Sequence, residues 1–202
     1  MKSACGPMDR APASGAGCDS SILSRRTRID MRKKVVSVIG GHNCNKEVEQ
    51  IAHKLGKKLA KVADILVCGG LGGTMKAVCS GFKAGGGLTM GIIPSYDKNE
   101  ANEFVDIVIP TGLGLARNVL VVQAGDSVVA LPGEYGTLSE LAYCLQFGIP
   151  VVSFKSWDIP GVIKVSTIEE AVAEVKAALK GARHESSFNL RRRQKLLWRG
   201  AK

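Results

Sequence analysis

From Lys34 onward, short runs of β-branched and apolar residues alternate with segments whose apolar residues recur every three or four positions, and few architectures accept that pattern. Parallel strands buried on both faces read as continuous apolar runs, and the helices that cross between them carry a single apolar stripe. Strands are expected at 35–39 (VVSVI), 64–68 (DILVC), 88–93 (LTMGII), 105–109 (VDIVI), 127–131 (SVVAL) and 150–154 (PVVSF). Helical spacing links Val48, Ile51, Ala52, Leu55, Leu59 and Val62, then Met75, Val78, Cys79 and Phe82, then Leu138, Leu141, Ala142 and Leu145, and finally Ile168, Ala171, Val172, Val175 and Leu179. The polar connection 94–104 has no helix period and reads as a loop or a short distorted helix. The pattern predicts an α/β class: a single Rossmann-like, doubly wound, mainly parallel sheet of about six to seven strands with helices on both faces.

Charge is distributed unevenly along this frame. The whole chain of 202 residues carries a formal +10, but 35–181 holds thirteen Lys/Arg against fourteen Asp/Glu. The basic excess sits in 1–34 and in 182–202, so it says nothing direct about a site in the body. The chain divides into three segments: a basic extension over 1–33, expected from its composition to be disordered, a binding domain over 34–181 and a basic tail over 182–202. The first thirty residues lack the apolar run of a secretory signal, and their three Asp residues disfavour a transit peptide. Met31 stands directly before the first strand segment and is a second candidate start. In the tail, Arg191, Arg192, Arg193, Lys195 and Arg199 flank Leu196, Leu197 and Trp198. Two readings stand there, a nucleic-acid or acidic-partner contact and a solvated, partly helical tail, and the second is the simpler. Nucleic acid is expected only through such ends, and no stretch approaches the length of a membrane span.

Six cysteines, at 5, 18, 44, 68, 79 and 144, form no C-x-x-C pair and have no histidine at zinc-ligand spacing. No metal site is expected, and reduced thiols fit a cytoplasmic protein.

The 24 glycines exceed the ordinary share of about 7%. They collect where strands hand over to helices: Gly40 and Gly41 after the first strand, Gly69, Gly70, Gly72 and Gly73 after the second, Gly112 and Gly114 after the fourth, Gly133 and Gly136 after the fifth. In a parallel sheet these turns lie at the carboxyl edge, where ligands bind. Glycine there permits positive φ and close backbone approach, leaving amide N–H groups free to meet an anion at the positive end of a helix. A small phosphorylated ligand is the partner this arrangement implies. No G-x-x-x-x-G-K-[ST], G-x-G-x-x-G with a following acid, or G-x-S-x-G is present, which sets aside a P-loop, an NAD site and a serine hydrolase.

Two segments narrow the class: Cys68-Gly69-Gly70-Leu71-Gly72-Gly73-Thr74-Met75 and Pro132-Gly133-Glu134-Tyr135-Gly136-Thr137-Leu138-Ser139-Glu140. Together they resemble the family of cytokinin-activating nucleoside-monophosphate phosphoribohydrolases, long labelled "possible lysine decarboxylase", across about 35–180. That family carries G-G-G-x-x-G-x-M after the second strand and P-G-G-x-G-T-x-x-E after the fifth. The resemblance implies that Arg117, in Ala116-Arg117-Asn118, and Glu140 form the catalytic pair, with Pro132, Gly133, Gly136 and Thr137 around the 5′-phosphate. Gly40, Gly41, Gly69, Gly70, Gly72, Gly73, Thr74, Met75 and Gly112 join them as candidate nucleotide-binding positions. It also implies a homodimer or higher homo-oligomer and no required cofactor. Decarboxylation is set aside, because no cofactor-lysine site is recognisable.

The chemistry suits these residue types. Breaking an N-glycosidic bond builds positive charge on the ribose, which a carboxylate stabilises, and a guanidinium offers paired donors to a phosphate or a departing base. Thr137-Leu138-Ser139-Glu140 is equally a helix capping box, with Thr137 as N-cap, and Thr167-Ile168-Glu169-Glu170 repeats it where no chemistry is expected. Glu134 stands where the enzymes have glycine, and the P-G-E-x-G-T turn more closely resembles a subgroup that includes molybdenum-cofactor carriers. A carrier holds a phosphorylated pterin without turning it over, so a bound nucleotide and a molybdopterin-type ligand both remain open.

Overall fold

The computed structural model describes residues 32–185, and the expectations for 1–31 and for 186–202 lie outside them. Seven strands, all parallel, form one sheet in the order β4-β3-β2-β1-β5-β6-β7. They are β1 (Val35–Ile39), β2 (Ile65–Cys68), β3 (Leu88–Ile93), β4 (Ile107–Pro110), β5 (Ser127–Ala130), β6 (Val151–Phe154) and β7 (Ile163–Val165). The helices are α1 (Lys46–Leu59), α2 (Thr74–Ala84), α3 (Asn118–Ala124), α4 (Tyr135–Phe147) and α5 (Ile168–Glu185). The expected Rossmann-like, doubly wound α/β fold is what the chain adopts. The fourth strand begins two residues later than its apolar run, because Asp106 turns back: its carboxylate accepts from the Thr89 N–H and receives Lys83. Over 94–104 the structure has only a single 3-10 turn, Lys98–Glu100.

Two cores sandwich the sheet. On one face α1, α2 and α5 bury Leu55, Leu59, Val78, Phe82, Val175 and Leu179; on the other α3 and α4 bury Val121, Val122, Leu141 and Cys144. Asn45 caps α1 by accepting from the Val48 N–H at 2.9 Å. Thr167 and Glu170 close the expected box at the start of α5, with Thr167 Oγ1 accepting from the Glu170 N–H and Glu170 Oε2 from the Thr167 N–H.

Part of the glycine surplus has another cause than the strand-to-helix turns. A Cβ on Gly56 would stand 2.3 Å from the Val78 carbonyl oxygen, and one on Gly81 would stand 2.0 Å from that of His53. These two positions let α1 and α2 pack backbone to backbone. That contact fixes α2 and so the turn that precedes it.

Candidate functional site

The strand order reverses at β1, whose neighbours are β2 on one side and β5 on the other. At such a switch point the loops leaving adjacent strands diverge and open a crevice at the carboxyl edge. Here the loops after β1, β2 and β5 and the approach to α3 line a cleft of about 260 Å³. Of the expected site residues, Gly40, Gly41, Gly69, Met75, Arg117, Glu134, Gly136, Thr137 and Glu140 lie in its wall.

Gly73, Thr74, Pro132 and Gly133 shape that wall from behind. Gly73, at φ +59, would bring a Cβ within 1.9 Å of the His42 carbonyl oxygen, while the Thr74 N–H next to it donates to the Gly41 carbonyl at 3.1 Å. Gly133 would bring one within 2.2 Å of Thr137 Oγ1 and 2.7 Å of the Gly41 nitrogen. Pro132 accepts from the Gly41 N–H at 3.0 Å, which joins the first and fifth strand turns directly. Gly70 packs on β3, Gly72 stands beside the His42 ring and Gly112 lies under the Tyr96 ring, so these three are not brought into the cleft wall.

Arg117 ends a 3-10 turn, Gly114–Arg117, and leads into α3; Glu140 sits on the second turn of α4. Their side chains meet at the floor of the cleft, with Nη1 and Oε1 3.9 Å apart and the residues only 7% and 5% exposed. That separation is too long for a hydrogen bond. Arg117 Nε, equally buried, has no hydrogen-bond partner among the described residues. Both terminal guanidinium nitrogens instead press on Gly69, where a Cβ would come within 2.5 Å of each. Burial pushes the Glu140 carboxyl up to about 7, against the pull of Arg117. Burial also lowers the Arg117 guanidinium from its ordinary value, with Glu140 and Cys68 opposing. The two groups are thus held apart, out of water, with a guanidinium nitrogen left without a partner among the described residues, a combination that recurs at functional sites.

The capping-box reading of Thr137 and Glu140 is corrected here. α4 begins at Tyr135 with Glu134 as its N-cap, so both residues lie inside the helix, buried. The apolar stripe is corrected in part: Leu141 is buried and Leu145 packs on the core as expected, but Ala142 is exposed and Leu138 only half-buried, and the buried face also takes in Thr137, Glu140 and Cys144. Glu134 lines the cleft and is exposed, at the end of the helix whose first N–H groups have no intrahelical acceptor.

Sequence reasoning missed His42, Asn43, Leu71, Leu115 and Asn118, all in the cleft wall. Asn118 directly succeeds Arg117 and its Nδ2 donates to Ser139 Oγ at 3.4 Å, tying the start of α3 to α4. A pair Arg-Asn at a helix start was the signal available for it. No group of residues fit to hold a metal ion occurs among the described residues, and none of their helices is long and apolar enough to cross a membrane.

Known proteins share this frame. An uncharacterized protein of Archaeoglobus fulgidus is 41% identical over 143 residues, covering 70% of this chain and 94% of that protein. A probable cytokinin riboside 5′-monophosphate phosphoribohydrolase of Oryza sativa subsp. japonica is 30% identical, over 83% of this chain and 81% of the plant protein. Among solved structures, the molybdenum cofactor binding protein of Rippkaea orientalis superposes with a TM-score of 0.68 at 33% identity, covering 73% of this chain and 98% of that one. The molybdenum cofactor carrier protein of Chlamydomonas reinhardtii gives the same TM-score, 0.68, at 31% identity, over 74% and 99%. The model of the SLOG cluster4 family matches residues 33–186, and the chain belongs to that family.

Proposed function

We propose that the cleft binds a phosphorylated nucleoside and hydrolyses its N-glycosidic bond. The observation that carries this reading is the Arg117–Glu140 pair, buried, 3.9 Å apart and underfilled, beside the free N–H groups that open α4. The phosphate would lie on the turn Gly133–Thr137, against the amides and the positive end of the helix. The ribose would then rest over Glu140, whose carboxylate stabilises the developing cation and orients water, while Arg117 offers donors to the departing base or the phosphate. The similarity to the plant phosphoribohydrolase supports the assignment. We assign the binding domain to 34–181 and infer a soluble chain acting as a homo-oligomer. Support for the last comes from Leu88, Ile107 and Ile109, exposed apolar residues on one side of β3 and β4.

A second reading, a carrier of a molybdopterin-type ligand, is favoured by Glu134 in the anion turn and by the similarity to the carrier structures. Equilibrium dialysis against adenosine 5′-monophosphate and against adenosine tests the shared premise. Retention must depend on the phosphate, and equal retention of both would end the cradle reading. Fluorescent pterin released from the purified, heat-denatured protein would favour the carrier over the hydrolase.

A further inference from the structure

The connection from β6 to β7 spans residues 155–162 and contains no helix. Parallel neighbours are ordinarily joined by a dozen or more residues with a helix between them. This short connection departs from β6 abruptly: Lys155 is the one non-glycine residue with positive φ among the described residues, at +50. Such a conformation persists only where the surroundings impose it.

Two residues further along stands Trp157. Its carbonyl accepts from Ser153 Oγ at 3.2 Å, its ring packs against the core beneath α4, and its Nε1–H donates to the Gly133 carbonyl at 3.0 Å. Tyr135, the first residue of α4, lies against the same indole, ring centroids 6.2 Å apart. An indole has one donor and no acceptor, so this bond is the whole of its polar commitment. Three consecutive carbonyls of the cradle turn are therefore held: Pro132 by the Gly41 N–H, Gly133 by Trp157, and Glu134 by the Leu138 N–H within α4. In a trans peptide the C=O and the N–H point opposite ways. Holding the Gly133 carbonyl on Trp157 thus turns the Glu134 N–H away from the indole and fixes the peptide plane on which an anion would sit.

We infer that Trp157 is a positioning residue, which sets the anion-binding turn Gly133–Thr137 through its hydrogen bond to the Gly133 carbonyl. This rests on the reading of that turn as a phosphate cradle. Trp157 itself does not line the cleft. Its effect is confined to the phosphate end of the site, so it alters how tightly a monophosphate is held and not how fast a bound one reacts.

The test is the variant Trp157→Phe, which keeps an apolar ring and removes the donor. In the ligand-free proteins, hydrogen exchange at Gly41 and Leu138, whose N–H groups donate to the Pro132 and Glu134 carbonyls on either side of Gly133, should run several-fold faster in the variant, with exchange in β1 and β2 unchanged. For adenosine 5′-monophosphate, the KM for base release should rise about fivefold with kcat within about twofold, the scale of one neutral hydrogen bond. Exchange indistinguishable from wild type would overturn the inference, as would faster exchange with an unchanged KM. Wild type that releases no base and holds adenosine 5′-monophosphate no better than adenosine ends the cradle reading, and with it this role for Trp157, while exchange then reports on the tether alone. Should Trp157→Phe fail to fold, Ser153→Ala removes the bond to the Trp157 backbone carbonyl, loosens the loop that carries the indole, and must move exchange and KM in the same direction by a smaller factor.

Discussion

Arg117 Nη1 stands 3.9 Å from Glu140 Oε1 with both side chains nearly sealed from water, a pair that approaches without closing. A buried pair is strong only when its geometry is good and its remaining donors are satisfied. Here neither holds, and desolvation dominates both groups. The arrangement is a cost to the fold.

That cost has a signature in pH. The Glu140 carboxyl titrates at about 7 in the folded chain against an ordinary value of 4.5. The folded state therefore holds a proton that the unfolded chain has lost, and stability falls as pH rises through that window, by on the order of 3 kcal/mol in all. Below the unfolded value both states are protonated and the penalty is absent. Glu140→Gln cannot ionise, so the Tm difference between variant and wild type should shift in favour of the variant from about pH 5 to about pH 8. Calorimetry across that range checks it, and a constant difference would count against the raised carboxyl.

Gly133 has no room for a side chain, with Thr137 Oγ1 and the Gly41 nitrogen 2.2 and 2.7 Å from where a Cβ would stand. Gly133→Asp adds both bulk and a negative charge to the anion turn. Loss of phosphate-dependent retention by at least about tenfold is expected, along with a lower Tm because the turn must shift to admit the side chain. A Gly133→Asp protein that kept its ligand would remove the turn from the site.

Glu134 brings a carboxylate to the mouth of the same turn, exposed to solvent. Its backbone, at φ −92, needs no particular residue. Glu134→Gly should tighten adenosine 5′-monophosphate by about three- to tenfold at low ionic strength, and less in high salt, since a like charge near the phosphate is screened by ions. Titrations at two salt concentrations read this directly; weaker binding in both would mean that Glu134 contributes a contact and not a repulsion.

Much of the frame is legible in the residues alone. The first six strands announce themselves as apolar runs, and α1, α2 and α5 carry stripes whose residues are largely those found buried. β7, only Ile163–Val165, is too short to show a period. α4 misleads in part, for a physical reason: its buried face includes Thr137 and Glu140, which line the cleft, so hydrophobicity finds Leu141 and Leu145 but not the polar half of that face. Arg117 and Glu140 come together through a tertiary fold that no local pattern encodes, and only the family resemblance paired them. Trp157 and His42 reach the cradle from other loops, which spacing cannot register.

Ile107 and Ile109, on the edge strand β4, stand 40% and 38% exposed. Edge strands of that kind are ordinarily charged or covered. If a second copy covers this one, Ile109→Asp should shift the sedimenting species toward the monomer while leaving the circular dichroism spectrum unchanged. A wild-type protein that sediments as a monomer at micromolar concentration would refute the homo-oligomer.

Arg117 and Glu140 are proposed to act on the ribose of a phosphorylated nucleoside, and everything else at the site serves that pair. The most direct measurement is the release of free base and ribose 5-phosphate from a panel of nucleoside 5′-monophosphates, by wild type and by Glu140→Ala. Equimolar release of the two products by wild type is predicted, with a fall of about 10²- to 10³-fold in the variant, the scale of removing one group that stabilises transition-state charge. Release by wild type no greater than that of Glu140→Ala would contradict it.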